Sequence, residues 1–88
     1  MKKRLEERNA LVSGMAERCG ADVAEAFRQG VIGPREYKER LTRCCECEAT
    51  EACRRLLAAV EELSAPPEYC RNRDEIQDLK QRLDKALT

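Results

Sequence analysis

Cys44-Cys45-Glu46-Cys47-Glu48-Ala49-Thr50-Glu51-Ala52-Cys53 carries four of the chain's six cysteines, and Cys70 follows at a distance. With Cys45 set aside, the spacing is C-x2-C-x5-C-x16-C. Residues three apart are neighbours on a helix surface, so thiols at Cys44 and Cys47 can reach one point. A short connection then brings Cys53 from the next helix. In the first turn of that helix, unpaired N–H groups and the positive end of the dipole favour a thiolate. The stiff Pro66-Pro67 step can hold Cys70 against the other three. The expected fold is all-α, a single-domain bundle of about five short helices spanning residues 1–88 and organised around a four-cysteine site.

Composition points the same way. The chain has 88 residues and is 42% hydrophobic, but 11 of those side chains are Ala and 6 are Cys. At this length folding buries only about 60% of the unfolded surface, and so lean a core usually needs a disulfide, a metal or an oligomer interface as a staple. The 17 basic and 17 acidic side chains balance and alternate. Without a concentrated positive face, with no Trp, and with Phe27, Tyr37 and Tyr69 as the aromatics, nucleic-acid binding is not expected. The opening Met1-Lys2-Lys3-Arg4-Leu5-Glu6-Glu7 has no apolar run behind it. It reads as neither signal peptide nor membrane anchor, so a cytoplasmic location is expected. Cytosolic thiols stay reduced, and six of them read as metal ligands or redox groups before disulfides.

Helical periodicity and turn residues divide the chain. A first helix is expected from about Lys3 to Cys19, with Leu5, Val12, Met15 and Cys19 on one stripe, interrupted by Gly14 and stopped at Gly20. A short second helix, about Asp22 to Gln29, sets Val23 and Phe27 one turn apart and ends at Gly30. Gly33-Pro34 opens a third, since Pro suits the first helical position. Tyr37, Leu41, Cys44 and Cys45 continue it along one inward face. Thr50 is the expected N-cap of a fourth helix carrying Cys53, Leu56, Leu57, Val60 and Leu63, ended by Ser64-Ala65-Pro66-Pro67. Asn72 and Glu75 have capping-box spacing at the start of a fifth, which would bury Ile76, Leu79, Leu83 and Leu87. The run Arg71-Asn72-Arg73-Asp74-Glu75 reads as a solvated face.

The chain has no histidine. Most catalytic zinc and iron sites, and most general-base mechanisms, use imidazole, so an enzyme is not expected. All-cysteine ligation leaves a tetrathiolate zinc, a rubredoxin-like iron or an iron–sulfur cluster. Structural zinc prefers two C-x2–4-C pairs, and only one is present here, which favours iron–sulfur. Two disulfides, whose pairing the sequence does not specify, and plain buried thiols are the remaining alternatives. Cys19 reads as a small core side chain, and Cys45 as an exposed thiol or a spare ligand.

Two resemblances bear on the cluster. The C-x2-C-x5-C portion is similar to the end of the cluster loop in helical DNA-repair glycosylases, although their fourth cysteine lies upstream. A wider resemblance rests on Gly20-Ala21-Asp22-Val23-Ala24-Glu25-Ala26, Gly33-Pro34, Arg43-Cys44, Cys47, Glu51-Ala52-Cys53-Arg54 and Pro66-Pro67-Glu68-Tyr69-Cys70-Arg71-Asn72. These segments resemble a small bacterial family of unknown function that reads C-x2-C-x2-P-E-A-C-R and then P-P-x-[FY]-C-x-N. The resemblance implies one shared site of Cys44, Cys47, Cys53 and Cys70. Here Thr50 replaces the usual Pro, and Cys19 and Cys45 fall outside the pattern.

The expected function is therefore a small metal-binding protein whose four-cysteine 4Fe–4S cluster serves a redox, electron-transfer or sensing role for a protein partner. The alternative is a structural zinc-binding adaptor. A thiol redox enzyme using Cys44 and Cys47 is disfavoured, because no βαβ pattern surrounds the pair. The long, charged first helix is the surface expected to dock a partner or a second copy if it does not fold back.

Overall fold

The computed structural model describes residues 2–87, with side chains described from Arg4 to Lys85. Five helices follow in order, α1 (Lys2–Arg18), α2 (Val23–Arg28), α3 (Pro34–Glu46), α4 (Thr50–Ala59) and α5 (Arg73–Leu87). No strand occurs among the described residues. None of these helices is long and apolar enough to cross a membrane.

The first helix folds back onto the rest, packing against α2, α3 and α4. Its end and that of α2 are set by glycine. Gly20 and Gly30 adopt φ of 79° and 76°, left-handed values that cost other residues steric strain. Behind each glycine the chain reverses through paired bonds, Ala21 N–H to the Ala16 carbonyl and Val31 N–H to the Ala26 carbonyl, which satisfy the last helical acceptors. Asp22 caps α2 by accepting from the Glu25 N–H, and Pro34 starts α3. Met15, Ala16, Cys19, Ala21, Val23, Ala26, Ile32, Ile76, Leu79 and Leu83 form the buried core. The small side chains among them let α1 and α2 approach closely, but each contributes little burial energy compared with the roughly 1.5–3 kcal/mol of a large aliphatic.

Polar clamps supplement that core, and they change several sequence expectations. The fourth helix stops at Ala59 rather than running on through Leu63. Arg18 ends it: its Nη2 and Nε donate to the Leu57 and Val60 carbonyls at 3.0 Å each, while Nη1 donates to Gly14 at 3.1 Å. The Leu63 N–H then donates to the Arg18 carbonyl at 2.8 Å, drawing residues 60–63 along α1 instead of into another helical turn. Gly14 sits mid-helix because α4 comes close; a Cβ there would lie 3.2 Å from Leu57 Cδ1. Despite its apolar stripe, α4 has no fully buried residue. Thr50 is its first helical residue, and Ala49 occupies the cap position without a side-chain bond.

The start of α5 also departs from expectation. Asn72 does not cap the helix with its side chain. It is 1% exposed and bridges to α3, accepting from Arg43 Nε at 2.7 Å and donating to the Arg40 carbonyl at 3.0 Å. Glu75 pairs with Arg43 and Arg40 rather than closing a capping box. The 71–75 run is thus half structural. On α3 the fully buried side chain is Arg40, not Tyr37, Leu41 or a cysteine; its Nε and Nη1 have no hydrogen-bond partner, and burial lowers its pKa. Leu5 and Phe27 are exposed rather than core. The side chain of Leu87 lies outside the described residues.

Candidate metal centre

Cys44 and Cys47 sit at the C-terminal end of α3, with Cys47 as its cap. The chain leaves the helix there because Cys47 turns extended, at φ −71° and ψ 131°. Three residues on, α4 begins and places Cys53 in its first turn. The 60–72 segment, anchored by Arg73 Nε donating to the Pro66 carbonyl at 3.0 Å, returns Cys70 to the same place. Cys44, Cys47, Cys53 and Cys70 thereby line one cavity, together with Arg8, Val12, Met15 and Tyr69. Its volume is about 20 Å³, room for a single atom-sized guest. Neither Cys45 nor Cys19 lines it. Cys45 is half-buried beside it, and Cys19 is 3% exposed within the core.

All six cysteines are free thiols. Among the described residues, no three Cys, Asp or Glu side chains converge closely enough to hold a metal ion. The thiols instead satisfy themselves locally. The Cys44 Sγ–H donates to the Arg8 carbonyl at 3.4 Å, and the Cys47 Sγ–H points to the Tyr69 carbonyl at 3.9 Å. Two sulfurs also receive amide protons from two residues ahead, Cys47 from Ala49 N–H at 3.4 Å and Cys70 from Asn72 N–H. At Cys70 that donated N–H favours the thiolate.

Burial opposes ionisation. It pushes the Cys44 thiol up to about 11, with the Arg8 guanidinium pulling the other way. Burial, followed by negative charge at Cys70 and Cys47, raises Cys53. Burial raises Cys70 against the Asn72 amide, and it raises Tyr69 beside the same sulfurs. The four thiols thus feel one another's charge across the cavity. Buried thiolates in such proximity need a cation between them or beside them. Arg8 meets part of that need. Its Nη1 donates to the Cys44 and Cys47 carbonyls at 2.9 and 3.0 Å, and Arg4 Nη2 donates to the Cys45 carbonyl at 3.3 Å.

The sequence reading missed Arg8 and the bridging role of Asn72. The signal for the first was available: Arg4, Arg8 and Val12 recur every four residues on one face of α1, leading into the apolar stripe. For Asn72, capping-box spacing pointed to a local role, and no local pattern announces its bond to Arg43, 29 residues away.

A family model described as a family of unknown function, DUF6455, matches residues 1–82. No curated protein and no solved structure matches the chain.

Proposed function

The chain belongs to the DUF6455 family, and from its own residues we propose that it is a small metal-binding protein whose centre is held by Cys44, Cys47, Cys53 and Cys70. One observation carries the reading: these four thiols, from α3, α4 and the segment before α5, line a single cavity although the last lies 26 positions after the first. Closing them onto a metal requires Cys44 and Cys47 to give up their bonds to the Arg8 and Tyr69 carbonyls, which costs little because a thiol is a weak donor. The irregular stretches 47–49 and 60–72 supply the adjustment.

An iron–sulfur cluster is the primary reading, serving electron transfer or sensing for a protein partner. All-thiolate ligation, a single C-x2-C pair and the lack of any histidine support it. Such a cluster would supply a one-electron couple; the protein's part is to hold it, set its polarity and limit solvent. A structural zinc ion in an adaptor is the second reading, favoured by the small cavity, which suits one ion better than a four-iron cluster. In that case the metal would complete a thin core.

The test is metal and sulfide analysis with an absorbance spectrum of the full chain purified without air. Iron with acid-labile sulfide and a broad visible shoulder supports the cluster. Colourless protein with about one zinc per chain supports the adaptor. Protein that carries neither, and whose helicity and melting do not respond to added Fe²⁺ with sulfide or to Zn²⁺, sinks the metal-centre proposal.

A further inference from the structure

Among the described residues, Arg8 is the cationic side chain that touches the backbone of the C-x2-C turn at two points, and its place on α1 puts it 36 and 39 residues away from those contacts. The turn lies at the C-terminal end of α3, where unpaired carbonyls and the negative end of the dipole make a poor setting for thiolates. Cys53 has the opposite setting, in the first turn of α4. Two of the four cysteines therefore sit where the backbone presents negative partial charge, and it is to these carbonyls that Arg8 donates. Four thiolates around a divalent ion also carry a net charge of about −2.

Resting on the metal-centre reading, we propose that Arg8 is the positioning residue of that centre. By donating from one nitrogen to the carbonyls of Cys44 and Cys47, it locks the turn with both Cβ atoms toward the cavity, cancels the adverse end of α3, and leaves its positive charge on the cavity wall beside the sulfurs. Arg4, one turn earlier, holds the Cys45 carbonyl and directs that cysteine's segment of α3 against α1, outside the cavity. Arg54, by contrast, pairs with Glu7 and Glu51 and touches neither carbonyl, so it serves as a matched control on the same docking face.

The experiment titrates reduced, metal-free full-length protein with Co²⁺, whose thiolate charge-transfer and d–d bands report ligand number and geometry. Variants R8M, R8K and R54M are compared with the unaltered chain, and circular dichroism checks folding. Met preserves the aliphatic packing of Arg8 without charge or donors, whereas Lys keeps both on a single nitrogen. The expected result is R8M weakened about 10–100-fold with shifted bands, the scale of loss when an outer-shell partner of a metal ligand is removed. R8K should recover to within a few-fold, and R54M should match the unaltered chain. If R8M fails to fold, R8Q takes its place as the neutral variant and should show the same weakening. A neutral variant that binds Co²⁺ as tightly and with the same bands overturns the role of Arg8 and leaves the thiolate centre standing. An unaltered chain with no thiolate bands at all overturns both.

Discussion

Asn72 offers a sharp contrast between two physical roles for one side chain. As a helix cap it would be replaceable by Ser, with a change of a few tenths of a kcal/mol. As the buried bridge between α3 and α5 it is not, because Ser reaches neither Arg43 Nε nor the Arg40 carbonyl. The bond from Arg43, 2.7 Å long, is charge-assisted and contributes about 1.5–3 kcal/mol; the bond to the Arg40 carbonyl adds about 1 kcal/mol. Solvent cannot replace either partner easily at a residue 1% exposed. Asn72→Ser should therefore lose about 2–4 kcal/mol. For a chain of 88 residues, with unfolding entropy of about 2.1 cal/mol/K per residue, each kcal/mol moves the midpoint by about 5 °C. The expected drop is about 10–20 °C, measured by thermal and urea unfolding followed by circular dichroism, with Asn72→Ala alongside. If Ser melts within about 3 °C of the unaltered chain while Ala falls by more, capping is the role and the bridge contributes nothing.

Single replacement of Cys44, Cys47, Cys53 or Cys70 by Ser should abolish stoichiometric metal uptake, whereas Cys45→Ser should retain it and Cys19→Ala should cost only about 1 kcal/mol; an indispensable Cys45 or Cys19 would show the ligand set to be wrong. Arg18→Met removes three bonds to carbonyls of α1, α4 and the following residue, so about 2 kcal/mol should be lost, with amide exchange accelerated in the last turn of α4. Unchanged exchange there would mean that α4 ends for another reason. The hydrogen bond from Arg82 holds the Glu36 carboxyl below its ordinary range, so the pair's contribution is present above about pH 4.3 and fades as acid protonates Glu36 in the folded protein. Both side chains are more than a third exposed, which limits the effect to under about 1 kcal/mol. The urea midpoint gap between Glu36→Gln and the unaltered chain should exist at pH 7 and shrink as the pH falls below the ordinary carboxylate range; a gap that widens in acid contradicts the sign.

Glycine and proline made the helix boundaries near residues 20, 30 and 34 legible, because their backbone constraints act locally and need no knowledge of the rest of the fold. The periodic core positions Val12, Met15, Ile76, Leu79 and Leu83 were readable for the same reason. What was not legible depends on contacts between distant segments. The early end of α4 follows from Arg18, about 40 residues upstream, and no pattern within residues 56–63 announces it. Arg40 looks like any surface arginine until Asn72 and Glu75 pack over it. At the site, spacing and the family pattern singled out four thiols; they line one cavity, but among the described residues no three of them converge closely enough for a metal ion. That Arg8 would brace the turn could not be read from the cysteine motif, since it belongs to a different helix.

The dependence of α3 and α4 on clamps from α1 has a consequence for how the chain is made. The first helix leaves the ribosome well before the residues it secures, which lie 36 to 42 positions behind Arg8 and Arg18. At about 5–20 residues per second, it waits roughly 2–8 s for those segments, with α2 available to pack against in the meantime. Gly14 in its interior lowers its helix propensity by about 1 kcal/mol relative to Ala, so for that interval α1 exchanges between helix and coil. Its dense mixture of Lys, Arg and Glu keeps the nascent segment dispersed until the cysteine turn and the end of α4 emerge and α1 can close on them.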